Sequence, residues 1–268
     1  MNITDAGFDF DDVYLCPRPS SVVSRDAVDL STNLGNGLVL KLPIIASPMK
    51  GIISPELIIG LSELGGIGIL HRFYDDDAEW RRDFSLIMAK AKNFGIAVGL
   101  NDVYDTDKVE TVIKYGAKIL LIDIANGYIS SLAQCLAKCT ELIKAADSKC
   151  LLMAGSVIDY LGAINLYKYG CDLIRVGIGS GHLCTTRKVT GVGFPQLSAI
   201  ENCCINKQNF MKIIADGGIR SSGDAVKALA VGADAVMLGT LFAQTNESAN
   251  NGIIYGMASR KMQESYYD

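Results

Sequence analysis

A cysteine set among glycines, hydroxyls and an arginine is the first feature of this sequence able to do chemistry. It lies in Gly177-Ile178-Gly179-Ser180-Gly181-His182-Leu183-Cys184-Thr185-Thr186-Arg187, which runs on to Gly191-Val192-Gly193-Phe194-Pro195-Gln196. Glycines at alternate positions let backbone N–H and C=O groups approach a ligand with no Cβ in the way. A thiol beside hydroxyls and a cation ionises more readily and can act as a nucleophile. Two further glycine turns could receive an anion: Asp216-Gly217-Gly218, followed by Ser222-Gly223 and a helix carrying Asp224, and then Gly239-Thr240. Backbone N–H groups converging there would cradle a phosphate, and Asp216 beside them suits ribose hydroxyls.

The other seven cysteines read differently. Cys135, Cys139, Cys150, Cys171, Cys203 and Cys204 lie in or beside apolar stretches, and Cys16 precedes Pro17 near the start. All seven are expected to be small buried hydrophobes. With only two histidines, His71 and His182, a His/Cys zinc site is not expected. Free thiols, and an acidic, weakly apolar start unlike a secretory leader, lead us to expect a cytoplasmic protein.

These groups need a frame to position them. The chain has 268 residues, 49% hydrophobic and 20% charged, with a net charge of −4, as an ordinary globular protein has. No basic block argues for nucleic acid, and no apolar run has the length of a membrane span. Short runs rich in Ile, Val and Leu recur at 42–46, 67–70, 96–98, 119–122, 151–154, 173–176, 212–215 and 235–238. Helix-like segments separate them. One is Pro55 to Leu64, with Ser54 as N-cap, Pro55 at the first helical position and Gly65 past the end. In the next, Trp80 and Phe84 are expected in the outer core, after a charged start at 75–77.

Tyr115-Gly116-Ala117-Lys118-Ile119, Tyr169-Gly170-Cys171-Asp172-Leu173 and Val231-Gly232-Ala233-Asp234-Ala235 share one plan: a helix ends at glycine, and after a short turn a strand begins. Eight such units predict an α/β fold, a closed (β/α)8 TIM barrel in a single domain over residues 1–268, with a doubly wound open sheet as the alternative. In a barrel the candidate site residues fall at the carboxyl ends of the strands, where function sits.

These residues resemble the IMP dehydrogenase/GMP reductase family over nearly the whole chain. The resemblance runs through Phe10-Asp11-Asp12-Val13, Pro43-Ile44-Ile45-Ala46-Ser47-Pro48-Met49, Gly65-Gly66-Ile67-Gly68, the Cys184 loop, Ala215-Asp216-Gly217-Gly218-Ile219 and Tyr255-Gly256-Met257-Ala258-Ser259. The regulatory insertion of many dehydrogenases has no counterpart after His71-Arg72-Phe73-Tyr74. Two segments resemble the reductase branch: Asp123-Ile124-Ala125-Asn126-Gly127-Tyr128, and Ser20-Ser21-Val22-Val23-Ser24-Arg25 with Val28-Asp29-Leu30.

The resemblance implies NADPH-dependent reductive deamination of GMP to IMP. Cys184 would add to C2 of the purine, ammonia would leave, and hydride would reduce the covalent adduct. Thr186 resembles the proton-relay hydroxyl. The substrate would be held by Ser47, Met49, Arg175, Asp216, Gly217, Gly218, Gly239, Thr240, Gly256, Met257 and Ala258, with His182 standing where a phosphate-binding serine is usual. The cofactor would meet Arg72, Asp123, Ile124, Ala125, Ile178 and Gly179, with Ser24 and Arg25 reaching across a subunit boundary. A potassium ion would lie on Gly179, Gly181, Cys184 and Arg187, and the assembly would be a homotetramer.

Further departures from the family pattern are Lys50, where an acidic residue usually follows the methionine, and Ser156, in place of asparagine. The resemblance also implies a flap, a catalytic glutamate and a closing helix beyond Tyr255-Gly256-Met257, and the sequence to Asp268 carries no match to them. General acid–base help is worth about 10²–10⁴-fold, so this implies slow or no turnover. Three alternatives stay open: an IMP dehydrogenase oxidising IMP to XMP with NAD, a purine-nucleotide-binding protein without turnover, and a generic flavin-binding barrel.

Overall fold

The computed structural model describes residues 7–104, 106–181 and 186–249. A short antiparallel hairpin, β1 (Thr32–Gly35) and β2 (Leu38–Leu40), precedes eight parallel strands: β3 (Ile44–Ala46), β4 (Ile67–Leu70), β5 (Phe94–Val98), β6 (Ile119–Ile122), β7 (Leu151–Val157), β8 (Leu173–Val176), β9 (Lys212–Asp216) and β10 (Ala235–Leu238). Each pairs with the next, and β10 pairs back onto β3, closing the barrel. The expected TIM barrel is found, and the open sheet is excluded.

The helices alternate with the strands: α1 (Pro55–Leu64), α2 (Asp77–Lys90), α3 (Thr106–Lys114), α4 (Ser131–Ala145), α5 (Tyr160–Lys168), α6 (Thr186–Thr190), α7 (Gln196–Cys204), α8 (Ser222–Ala230) and α9 (Thr240–Ala243). At α1 the Ser54 hydroxyl accepts the Leu57 N–H, and Gly65 closes the helix in the left-handed conformation at φ +91°. The glycines of the repeated plan, Gly116, Gly170 and Gly232, all take positive φ, as that role requires. Trp80 and Phe84 are buried and stack at 5.0 Å, and Asp76 caps α2.

Strand alternation divides the core in two. Ala46, Leu70, Ile96, Leu120, Ile122 and Ile174 face the helices, while Ile45, Ile67, Ile69, Leu121, Met153, Leu173, Ile214 and Met237 fill the barrel interior. The interior cluster also takes in Leu34, Leu38 and Leu40, so the hairpin plugs the amino end of the barrel. The sequence reading had no hairpin there. Its signal is Asn36-Gly37, both at positive φ as a two-residue hairpin turn demands, between alternating leucines.

The cysteines follow expectation with one correction. Cys135, Cys139, Cys150, Cys171 and Cys203 are buried and Cys204 is partly so, but Cys16 is exposed, because residues 14–31 run over the surface without entering the core. Burial pushes the Cys139 and Cys150 thiols up to about 12 and Cys204 to about 11, so these sulfurs are inert near neutral pH.

Candidate active site

The alternation that places leucine and isoleucine inside the barrel continues past the strand ends. On β8, Leu173 points inward and so does Arg175. On β9, Ile214 and Asp216 share the inner face, and on β6 Leu121 is followed two residues later by Asp123. The interior thus changes from hydrocarbon to charge within one pleat, at the end where barrels carry their chemistry.

Arg175 is the hub of that layer. Its side chain is 9% exposed; Nη1 donates to Asp123 Oδ1 at 3.0 Å, and Nε lies 3.2 Å from Asp216 Oδ2. Nε also reaches Ser156 Oγ at 3.3 Å, and Nη2 donates to the Ile124 carbonyl at 3.1 Å. Arg72 approaches Asp123 from the other side, with Nε 3.8 Å from Oδ2. Burial, joined by the nearby Asp123 charge, pushes the Asp216 carboxyl up, and Arg175 opposes it. For Arg175 burial works against the charge, but the Asp216 and Asp123 carboxylates outweigh it. One guanidinium therefore holds two carboxylates, one from each ligand group expected from the sequence.

The two glycine loops meet beside this hub. A Cβ on Gly217 would stand 2.5 Å from Ser180 Oγ and 3.1 Å from the Gly181 nitrogen, so only glycine lets the turn after β9 lie against the cysteine loop. Ser180 Oγ donates to the Asp216 carbonyl at 3.1 Å, and Gln196 Nε2 donates to the same oxygen at 3.0 Å and to the Val176 carbonyl at 2.9 Å. Met49 closes the ring, its sulfur 3.1 Å from where a Gly239 Cβ would stand. Ser47 is buried there, with its N–H on the Leu238 carbonyl, and Thr240 opens α9.

The structure thus brings together Ser47, Met49, Arg72, Asp123, Ile124, Arg175, Ile178, Gly179, Gly181, Asp216, Gly217, Gly218, Gly239 and Thr240 at one end of the barrel, with Ala125 on the loop after β6. Ser24 and Arg25 lie on the exposed arm. His182, Cys184, Gly256, Met257 and Ala258 lie outside the described residues; for Thr186 the backbone opens α6 and its side chain lies outside them as well. Sequence reasoning missed Ser180 and Gln196, whose partners are some 20 to 36 residues away. It also did not see that Arg187 clasps its own loop, donating from Nη2 to the Phe194 carbonyl at 2.9 Å.

Residues 7–266 match the IMP dehydrogenase / GMP reductase domain. The chain belongs to that family. It is 35% identical to the inosine-5'-monophosphate dehydrogenase of Borreliella burgdorferi, over 94% of this chain and 74% of that protein. It is 36% identical to the GMP reductase of Streptococcus equi subsp. equi, over 90% and 71% of the two chains, and 32% identical to GMP reductase 1 of Homo sapiens, over 95% and 77%. The IMP dehydrogenase / GMP reductase family comprises purine-nucleotide oxidoreductases that use a nicotinamide cofactor. Among the described residues no helix is long and apolar enough to cross a membrane.

The residues present fit the ligands such chemistry needs. Arg72 Nε is buried with no hydrogen-bond partner beside Asp123, an orphaned donor suited to a dinucleotide oxygen. The potassium ion that the resemblance implies would rest on backbone carbonyl oxygens; among the described residues no cluster of three His, Cys, Asp or Glu occurs. Gly179 and Gly181 offer such oxygens, and carbonyls suit potassium. The Arg187 carbonyl already accepts the Gly191 N–H at 3.2 Å and keeps a second lone pair.

Proposed function

We propose that this chain is a GMP reductase-type enzyme that converts GMP to IMP through a covalent adduct on Cys184. The observation that carries the reading is the packing of the Gly217-Gly218 turn against Ser180 and Gly181, with Asp216 held by Arg175 between them. A nucleotide whose phosphate rests on the glycine turns and whose ribose meets Asp216 has its base over the loop that carries Cys184. The reductase direction rests on 123–128 and on the arm at 20–30, both similar to the reductase branch, and on reductase relatives from several organisms.

The Cys184 sulfur adds to C2; the amino group, protonated with the help of Thr186, leaves as ammonia. Bound NADPH would supply the hydride that reduces C2, and release of the thiolate would give IMP, with one proton consumed overall when the nitrogen leaves as ammonia. Asp123, Ile124, Ala125 and Arg72 orient the dinucleotide, and Arg175 holds the Asp123 and Asp216 carboxylates in place, offsetting their charge together with Arg72. Gly179, Gly181, Cys184 and Arg187 would hold potassium and so stiffen the loop. Exposure of the whole stretch 14–31, including Ser24 and Arg25, supports a homotetramer in which the arm serves a neighbouring subunit.

Intact-mass and peptide mass spectrometry test this. Incubation with GMP and NADPH is expected to give a purine adduct on Cys184 and free IMP, both lost in Cys184→Ala. The Borreliella burgdorferi relative favours a second reading, so IMP with NAD is run in parallel. An adduct only in that arm reverses the direction; none in either leaves a nucleotide-binding protein and overturns the enzyme reading.

A further inference from the structure

We infer that Asp9 is a positioning residue for the cysteine loop: its carboxylate ties together the two limbs through which the loop carrying Cys184 rejoins the barrel. The inference rests on the proposed role of Cys184 and names a part of the machinery far from it in sequence. Asp9 Oδ1 accepts the Gln196 N–H at 2.6 Å, and Oδ2 lies 3.4 Å from Arg187 Nη1. Arg187 is the zip of the loop. A Cβ on Gly179 would stand 2.7 Å from the Arg187 Cγ, and one on Gly193 would stand 2.5 Å from the same atom, so the arginine stem lies flat between the outgoing and returning limbs. The Phe194 N–H donates to the Ile178 carbonyl at 3.1 Å, closing the limbs above that stem. Gln196, fully buried, carries the tie onward to the ends of β8 and β9 through the Val176 and Asp216 carbonyls.

Asp9 is itself held firmly. Its N–H donates to Asp12 Oδ2 at 2.7 Å, Phe8 and Ser198 exchange two hydrogen bonds, and Lys227 Nζ donates to the Phe10 carbonyl at 2.7 Å. Phe10 is buried, and Arg220 pairs with Asp11. The clasp at 8–12 thus spans from the exit of the cysteine loop to the helix after the phosphate turn, and Asp9 is where it grips the loop. The Asp9 and Arg187 side chains are about two-fifths exposed, at 42% and 39%. Such a pair contributes little to global stability. Its effect is therefore on where the loop sits, and position near a reacting atom is worth far more than the pair itself.

The test uses the full chain with Asp9→Asn and Asp9→Glu, reading alkylation of Cys184 by iodoacetamide peptide by peptide, with Cys16 as internal reference and GMP as protectant. In the unmutated protein saturating GMP is expected to slow Cys184 alkylation about tenfold or more, through the base lying over the sulfur. In Asp9→Asn that plateau protection is expected to fall to about threefold or less, while the half-protecting GMP concentration, set by the glycine turns and Asp216, stays within about twofold. Asp9→Glu restores the plateau, and melting temperatures stay within about 4 °C. Full protection in Asp9→Asn overturns the inference. So does a fall in plateau, affinity and melting temperature together without rescue by glutamate, which would mark a merely structural residue. Absence of protection in the unmutated protein overturns the nucleotide reading, and the inference with it.

Discussion

The two ends of this barrel are built from the same eight strands and solve opposite problems. At the amino end Leu34, Leu38 and Leu40 of the hairpin close the interior with hydrocarbon, against Ile119, Leu151 and Leu173 at the strand starts. At the carboxyl end the inward positions two residues beyond Leu121, Leu173 and Ile214 carry Asp123, Arg175 and Asp216. Burying leucine releases water and gains about 25 cal/mol per Å2. Burying a guanidinium and two carboxylates costs desolvation that their mutual attraction only partly offsets. One end therefore stabilises the fold, and the other draws on that stability to hold charge where ligands arrive.

The hardest test of this contrast removes the hub. Arg175→Met keeps the stem and deletes the charge, leaving Asp216 without its cation and Asp123 with only Arg72, at 3.8 Å. Breaking a buried pair in this way costs about 3–5 kcal/mol, and denaturant titration at neutral pH should show a loss of that size. The sign with pH is a second check. Burial already pushes the Asp216 carboxyl up, and losing Arg175 raises it further, so the deficit should shrink as pH falls and Asp216 takes up its proton. A deficit independent of pH would mean the carboxylates are not the source of the cost.

The plug should respond in the opposite manner. Leu34→Ala removes a fully enclosed side chain from the hairpin and is expected to cost about 2–5 kcal/mol, with no pH dependence. GMP protection of Cys184 should remain as in the unmutated protein once the variant is folded. Loss of protection with the fold intact would show that the two ends are coupled, contrary to the separation argued here.

The difference between the ends also marks what could be read from the sequence. The barrel was legible because its strands are continuous apolar runs and its helices end in glycine, and both signals are local. Asp216, Asp123 and Arg72 were placed at the mouth because strand ends can be counted. That Arg175 holds Asp123 and Asp216 at once was not legible, since the contact joins β6, β8 and β9 and depends on closure. Inner-face parity carries the clue: Arg175 is two residues after Leu173, as Asp216 is after Ile214. The Asp9 clasp had no local signal at all, its partners lying 178 and 187 residues away. The Asn36-Gly37 hairpin carries a local signal, a two-residue turn at positive φ between alternating leucines.

His71, at the mouth end of β4, offers a finer probe. It is buried, its Nδ1 accepts the Phe73 N–H at 3.1 Å, and its ring stacks on Tyr74 at 4.5 Å. Burial, helped by the Lys50 charge, lowers its pKa from 6.5 to about 3. The folded state thus resists protonation while the unfolded chain takes up a proton below pH 6.5, so stability is lost as pH falls through that window. The slope from this one group approaches about 1.4 kcal/mol per pH unit. His71→Asn keeps an acceptor for the Phe73 N–H and removes the titration. Its stability should fall less steeply than the unmutated protein's between pH 6.5 and about 3, and parallel curves would place the imidazole in contact with water.

The smallest effect is expected in the helix shell, away from both ends. Trp80 is buried against Phe84 with its indole N–H unpartnered, and Lys108 sits over its ring at 5.0 Å. Trp80→Phe removes an unsatisfied donor, whose burial costs about 1–3 kcal/mol, but leaves a cavity and weakens the cation contact. These terms oppose each other, so the net change in unfolding free energy should be within about 1 kcal/mol. A larger loss would mean that the indole N–H finds a buried water, and the shell would then share with the mouth a dependence on satisfied polar groups that the hairpin plug does without.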